Sequence, residues 1–149
     1  MADEDITRIQ VQVQTVQETD AGTQGLVYLL IAGREFLLRT PSGGDHEPGS
    51  RTFVLGEGSN VLNSASNDPR DPQLRSSFLG QFPPYLRFGP VDENDVWHLE
   101  RVDVTVTAGD GSTTGTYRYQ ALADEGTTKR TLRMGTRYSQ RVYLDPVSP

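Results

Sequence analysis

Between Trp97 and Val106 the apolar side chains alternate, but in two different phases. Trp97 and Leu99 share one phase, and Val102, Val104 and Val106 share the other, with Glu100 and Arg101 where the phase flips. Side chains on a strand repeat every second residue, so a flip would turn half of the strand outward unless an extra residue is inserted. No Gly or Pro interrupts the stretch, and a β-bulge is therefore predicted at Glu100–Arg101, keeping both apolar sets on the core side. The acidic run Asp92-Glu93-Asn94-Asp95 leads into this strand, and the only tryptophan of the chain opens it.

Period-two patterning recurs along the chain. From Ile6 to Thr15, Ile9, Val11 and Val13 alternate with Arg8, Gln10, Gln12 and Gln14, as in a half-buried strand with one wet face. Leu26 to Ala32 is apolar on both phases, which predicts a central strand covered on both faces. A tight turn at Gly33-Arg34 leads into a strand over Glu35–Leu38, and short strands follow at Thr52–Leu55 and Tyr85–Phe88. Residues 39–51 and 56–77 are long, turn-rich segments, of the kind that order on assembly or serve a function. Part of the second, Asn60-Val61-Leu62, is expected to pack back on the body. Asp-Gly at Asp110-Gly111 suits a hairpin. Further strands are expected over Gly115–Leu122, Lys129–Met134 and Tyr138–Leu144, with regular structure ending at Asp145-Pro146. About eight or nine short strands with frequent turn signals and no helical period predict an all-β fold, an antiparallel β-sandwich of two roughly four-stranded sheets.

Composition narrows the function classes. A chain of 149 residues suits one domain with a sizeable core. Residues 1–5 read as a flexible acidic tail and 6–146 as a single sandwich domain. Net charge is −6, so gripping a phosphate backbone is disfavoured and no nucleic acid is expected. Cysteine is absent, which removes disulfides, thiolate metal sites and a Cys nucleophile. With no basic-then-apolar leader and no long apolar run, the expected location is cytoplasmic, with peripheral membrane association open. A Ser–His–Asp set can be drawn from Ser42 or Ser50, His46 and Asp45, but no Gly-x-Ser-x-Gly elbow positions it, and no enzyme activity is expected.

Two segments carry a family resemblance. Val11-Gln12-Val13-Gln14-Thr15 followed by Ala21-Gly22-Thr23-Gln24-Gly25-Leu26-Val27-Tyr28-Leu29-Leu30-Ile31-Ala32-Gly33 resembles the opening of PLAT/LH2 (lipoxygenase homology) domains. There a V-x-T strand precedes an A-G-T-D-x-x-V-Y-x-x-I-x-G pattern. Trp97-His98-Leu99-Glu100-Arg101-Val102-Asp103-Val104 is similar to the second marker of that family, W-[FH]-L-[DE]-R-V-x-V, and Thr52-Phe53-Val54-Leu55 to the strand between them. The resemblance runs from about Ile6 to Val106 in the right order. It implies two packed antiparallel sheets and a non-catalytic module that docks onto membranes, lipids or protein partners, in some members with Ca²⁺ in the end loops. Where the family carries an aspartate after A-G-T, this chain has Gln24, a neutral and weaker ligand.

The resemblance places two loops at one end of the sandwich. It makes Asp20, Thr23, Gln24, Asp92 and Asn94 the candidate calcium ligands, set against the alternative of a solvated acidic turn. A second candidate comes from charge: Lys129, Arg130, Arg133, Arg137 and Arg141 form a basic strip without an acid between Gly126 and Leu144. Such a strip suits an anionic membrane surface or an acidic protein partner, or else a solvated sheet face paired to nearby acids. Tyr117, Tyr119, Tyr138 and Tyr143 fit a binding face or, more simply, sheet packing. Trp97 is expected in the core. The competing reading is a structural subunit of a larger multiprotein assembly, such as a phage-tail-like particle.

Overall fold

The structure is a computed structural model that describes residues 3–119 and 131–147. Among the described residues the strands are β1 Ile6–Thr15, β2 Leu26–Ile31, β3 Arg34–Leu37, β4 Gly49–Gly56, β5 Tyr85–Gly89, β6 Trp97–Ala108, β7 Ser112–Arg118, β8 Leu132–Met134, β9 Arg141–Tyr143 and β10 Asp145–Pro146. A 3-10 turn spans Ser76–Gly80, and among the described residues no helix is long and apolar enough to cross a membrane. The strands form two antiparallel sheets. The larger has six strands in the order β10-β7-β6-β1-β4, with β8 pairing the start of β6, and the smaller has four, β3-β2-β5-β9. The expected β-sandwich is thus observed, with the larger sheet extended by the short strands β8 and β10.

The alternation of β1 dictates its place. It pairs with β4 on one side and β6 on the other, and Ile9, Val11 and Val13 enter the core. The predicted bulge lies on β6 at the phase flip: Gln14 faces Arg101 while Thr15 faces Leu99, which leaves Glu100 as the extra residue. Trp97, Leu99, Val102, Val104 and Val106 consequently all reach one core. Glu100 is itself nearly buried, and its Oε1 accepts a hydrogen bond from Gln14 Nε2 at 3.1 Å. A second bulge sits on β1, where Ile6 faces Ala108 but Arg8 faces Thr107, leaving Thr7 over.

Some boundaries differ from expectation. The hairpin between β2 and β3 turns at Ala32-Gly33, one residue earlier than predicted, because Ile31 pairs with Arg34. Both turn residues take positive φ, 53° and 81°, as a two-residue hairpin of matching twist requires. Strand β4 begins at Gly49, inside the segment expected to be loop. Asp145-Pro146, expected to end regular structure, adds a short edge strand opposite Arg118 and Tyr117.

The long segment after β4 is packed, and it guards one edge of each sheet. Asn60 Oδ1 accepts from Val54 N at 2.8 Å and its Nδ2 donates to Thr52 O at 2.9 Å, so its amide occupies the open edge of β4. Asn67, buried, does the same for β3 by accepting from Leu37 N at 2.8 Å. Exposed strand edges invite pairing with other chains, and a side-chain amide that mimics a neighbouring strand blocks it. Val61 and Leu74 join the core, as expected for the former. The acidic N-terminal residues are fastened to the end of the same segment: Arg75 contacts Asp3 and Asp5, and Glu4 N donates to Ser76 Oγ at 2.9 Å.

Candidate functional site

The ends of β1, β2 and β5 and the start of β6 bring loops 20–25 and 91–96 together at one end of the sandwich. The contact between them is made by Asp95. Thr23 Oγ1 donates to its carboxylate at 2.8 Å, and Val91 N donates to Oδ2 at 2.9 Å. Thr23 in turn accepts from Gly25 N at 2.8 Å and donates its own N–H to His46 O at 3.0 Å. A Cβ at Gly25 would lie 2.6 Å from Gly89 O, so the close approach of the two loops requires glycine there. The 135–139 turn packs on the same loops, since a Cβ at Gly135 would lie 2.8 Å from Asp95 O.

The predicted calcium ligands lie on these two loops. Asp20 and Gln24 are exposed, and Asp20 holds a positive φ of 66°. Asp92 Oδ1 accepts from Asn94 N at 2.8 Å, closing its own turn. Thr23 is committed to Asp95, which was not among the expected ligands. Among the described residues no three His, Cys, Asp or Glu side chains gather to hold a metal ion. Calcium takes about six to eight oxygens, and of the predicted ligands Thr23 is held in a hydrogen bond to the bridging carboxylate of Asp95. A hydrogen bond closes the two loops.

His46 lies where no surface role reaches it. It is buried, its ring 5.4 Å from Phe53 and 5.2 Å from the Trp97 ring. Nε2 lies 3.2 Å from Leu38 O and Nδ1 has no partner. Burial pushes its pKa down to about 4, only partly opposed by the Leu38 carbonyl and Asp45, so the ring is neutral near pH 7. The Asp45 carboxylate turns to Thr40, accepting from its N at 2.9 Å and its Oγ1 at 2.5 Å, and not to His46. Ser42 Oγ lies 3.0 Å from Thr40 Oγ1 and Ser50 Oγ bonds Gln14, so neither serine meets the imidazole. Trp97 is in the core, with Nε1 donating to Thr15 Oγ1 at 2.9 Å.

The basic strip divides. Lys129 and Arg130 lie outside the described residues. Arg133, on β8 opposite His98, and Arg137 border one shallow depression beside Tyr138. Arg137 Nη2 lies 3.9 Å from Glu93 of the acidic loop, both side chains being well exposed, so the two expected sites are neighbours whose charges oppose each other. Arg141 belongs to the other sheet, in register with Arg87.

A surface that the sequence reading missed lies around Arg141. The inward phase of β2 (Val27, Leu29, Ile31) is fully buried, but Leu26, Tyr28 and Leu30 on the outward phase remain half-exposed. The expectation that this strand is covered on both faces is therefore corrected: it is central by pairing, yet open on its outer face. Across the sheet, Leu30 is in register with Glu35 and Tyr85, and Tyr85 with Tyr143; Tyr28 is in register with Leu37 and Arg87. Tyr143 is 54 % exposed. Of the other tyrosines considered, Tyr117 is buried, Tyr119 packs against the core and Tyr138 is exposed. The available signal was the doubly apolar pattern of β2, which reports only that both faces want cover and not that the chain supplies it.

No family model and no curated protein matches the chain. Among solved structures it is similar to the Alpha Toxin from Clostridium Absonum, with a TM-score of 0.51 and 19 % identity over 97 % of this chain. The chain spans 32 % of that protein's length. At this identity the likeness concerns the fold alone.

Proposed function

We propose that the chain is a non-catalytic docking module, a PLAT-like β-sandwich that binds a protein partner through the outer face of its smaller sheet. The observation that carries this reading is the uncovered outward phase of β2, where Leu26, Tyr28 and Leu30 lie beside Leu37, Tyr85 and Tyr143. An apolar face rich in Tyr and Arg has the composition of interface centres, which are enriched in aromatic residues and Arg and depleted in Lys. The larger sheet contrasts with it, since its outer phase carries Gln10, Gln12, Thr105 and Thr116. Protein is favoured over an anionic membrane because the loop end exposes Asp20, Asp92 and Glu93, and Arg137 is already beside Glu93. Calcium has no part in this reading. Membership of a larger assembly would use the same face and differ in stoichiometry.

The test is site-specific photo-crosslinking in cells that make the protein, with a benzophenone amino acid at Tyr143, at Tyr28 or, on the larger sheet, at Gln12. Discrete adducts from the smaller sheet and not from Gln12 are expected. Adducts from Gln12 alone, or none from Tyr143 and Tyr28, would overturn the assignment.

A further inference from the structure

Resting on that docking reading, we infer that the outer face of the smaller sheet selects a carboxylate-bearing protein segment and that Arg141 is its anchor. Two arginines of the face are in different states. The guanidinium of Arg87 forms a two-pronged pair with Glu35, at 2.9 and 2.8 Å, and lies 4.1 Å from the centre of the Tyr28 ring. Its charge is matched within the face, and Glu35 is held below its ordinary pKa, chiefly by the hydrogen bonds from Arg87. Arg141, its neighbour across the β5–β9 pair, stacks 5.2 Å over Tyr85 and has no carboxylate in ion-pair contact among the described residues. The Tyr143 ring stands edge-on to Tyr85 at 5.4 Å. Glu35 acts on Arg141 only at longer range, its hydrogen bonds being made with Arg87. The result is an exposed cation with no contacting carboxylate among the described residues, set among aromatic and leucine side chains.

A stacked guanidinium is oriented, keeps its edge free and suits a carboxylate, which it can meet with two parallel hydrogen bonds. The occupant that complements this face is a protein segment presenting Asp or Glu next to an aromatic or aliphatic side chain. Other occupants fit less well. A second copy would bring another net charge of −6 to the contact, and the acid in the face, Glu35, is already taken by Arg87. A sugar ring would need open aromatic faces, whereas guanidinium groups cover those of Tyr28 and Tyr85.

The test measures binding of the full chain to a fluorescein-labelled random copolymer of Glu and Tyr. Poly-Glu, heparin and phosphatidylserine-containing vesicles serve as comparisons. Binding of the copolymer is expected to exceed that of poly-Glu and of the other two. Arg141→Gln should weaken it about tenfold, and Tyr143→Ser should weaken it as well. Arg70→Gln, which removes an exposed arginine of the loop 56–77, should leave it unchanged. Unaltered affinity in Arg141→Gln, with a wild-type melt, would overturn the assignment. So would tighter Arg141-dependent binding to heparin or vesicles, or a sedimenting dimer that Arg141→Gln dissolves. If no probe binds while Tyr143 still crosslinks a partner, the carboxylate inference fails and the docking reading stands. Loss of both results would remove the docking reading too.

Discussion

At the scale of single residues, His46 gives the fold a pH dependence. In the unfolded chain its pKa is near 6.5, and in the folded protein burial lowers it to about 4. Between these values the unfolded chain binds the extra proton, so stability falls as pH drops from about 6.5 toward 4. Between pH 7 and 4.5 the loss should be about 2–3 kcal/mol, read from urea melts at the two pH values. His46→Phe, which keeps a ring against Phe53 and Trp97 and removes the orphan Nδ1, should flatten that window. Equal slopes in both proteins would refute the assignment. Glu35 and Asp68, whose carboxyls are held low chiefly by hydrogen bonds from Arg87 and Arg70, contribute stability that is lost as pH falls from their ordinary values of 4.5 and 3.8 through the lowered ones. Asp95 makes a second residue-scale prediction. Asp95→Ala leaves Thr23 Oγ1 and Val91 N without their acceptor and should cost about 1–3 kcal/mol. Because Asp95 closes the loops by hydrogen bonds, millimolar calcium should leave the melting temperature of the wild type within about a degree of the EDTA value. A rise of several degrees would show that the loops rearrange around an ion.

At the scale of elements, the bulges and the edge guards decide the architecture. The β6 bulge was legible because Glu100 and Arg101 separate two apolar phases. The β1 bulge carried the same signal in weaker form, Ile6 and Ile9 being apolar at opposite phases and both buried. Deleting Glu100 should push Trp97 and Leu99 to the wet face and prevent folding, whereas Glu100→Gln should fold. The roles of Asn60 and Asn67 were not legible, because an asparagine in a turn-rich segment looks alike whether it caps a distant strand edge or faces water. Asn67→Ala, which leaves Leu37 N without its acceptor, should cost about 1–3 kcal/mol. Asn60→Ala should open the β4 edge and make aggregation depend on protein concentration, as light scattering would report.

At the scale of the whole molecule, the two sheets bury one core and present unlike outer faces. Because the face of the smaller sheet is already exposed, Tyr143→Ser and Arg141→Gln should each change stability by no more than about 0.5 kcal/mol. The same changes should weaken partner crosslinks from Tyr28. A large drop in melting temperature would instead make these side chains part of the fold. Side-chain period along a strand is a local property, so the all-β class, the main strands, the β6 bulge and most of the core can be read from the order of residues. Which apolar phase stays open, that Asp95 and not Asp92 bridges the end loops, that His46 stacks on Phe53 and meets Trp97 edge-on, and that Arg141 stands apart from Arg133 depend on pairings between distant residues. Thr23 and Asp95 are 72 positions apart, and no local pattern encodes their meeting. It exists only once β2, β5 and β6 have docked, so the site comes into being with the packing of the strands.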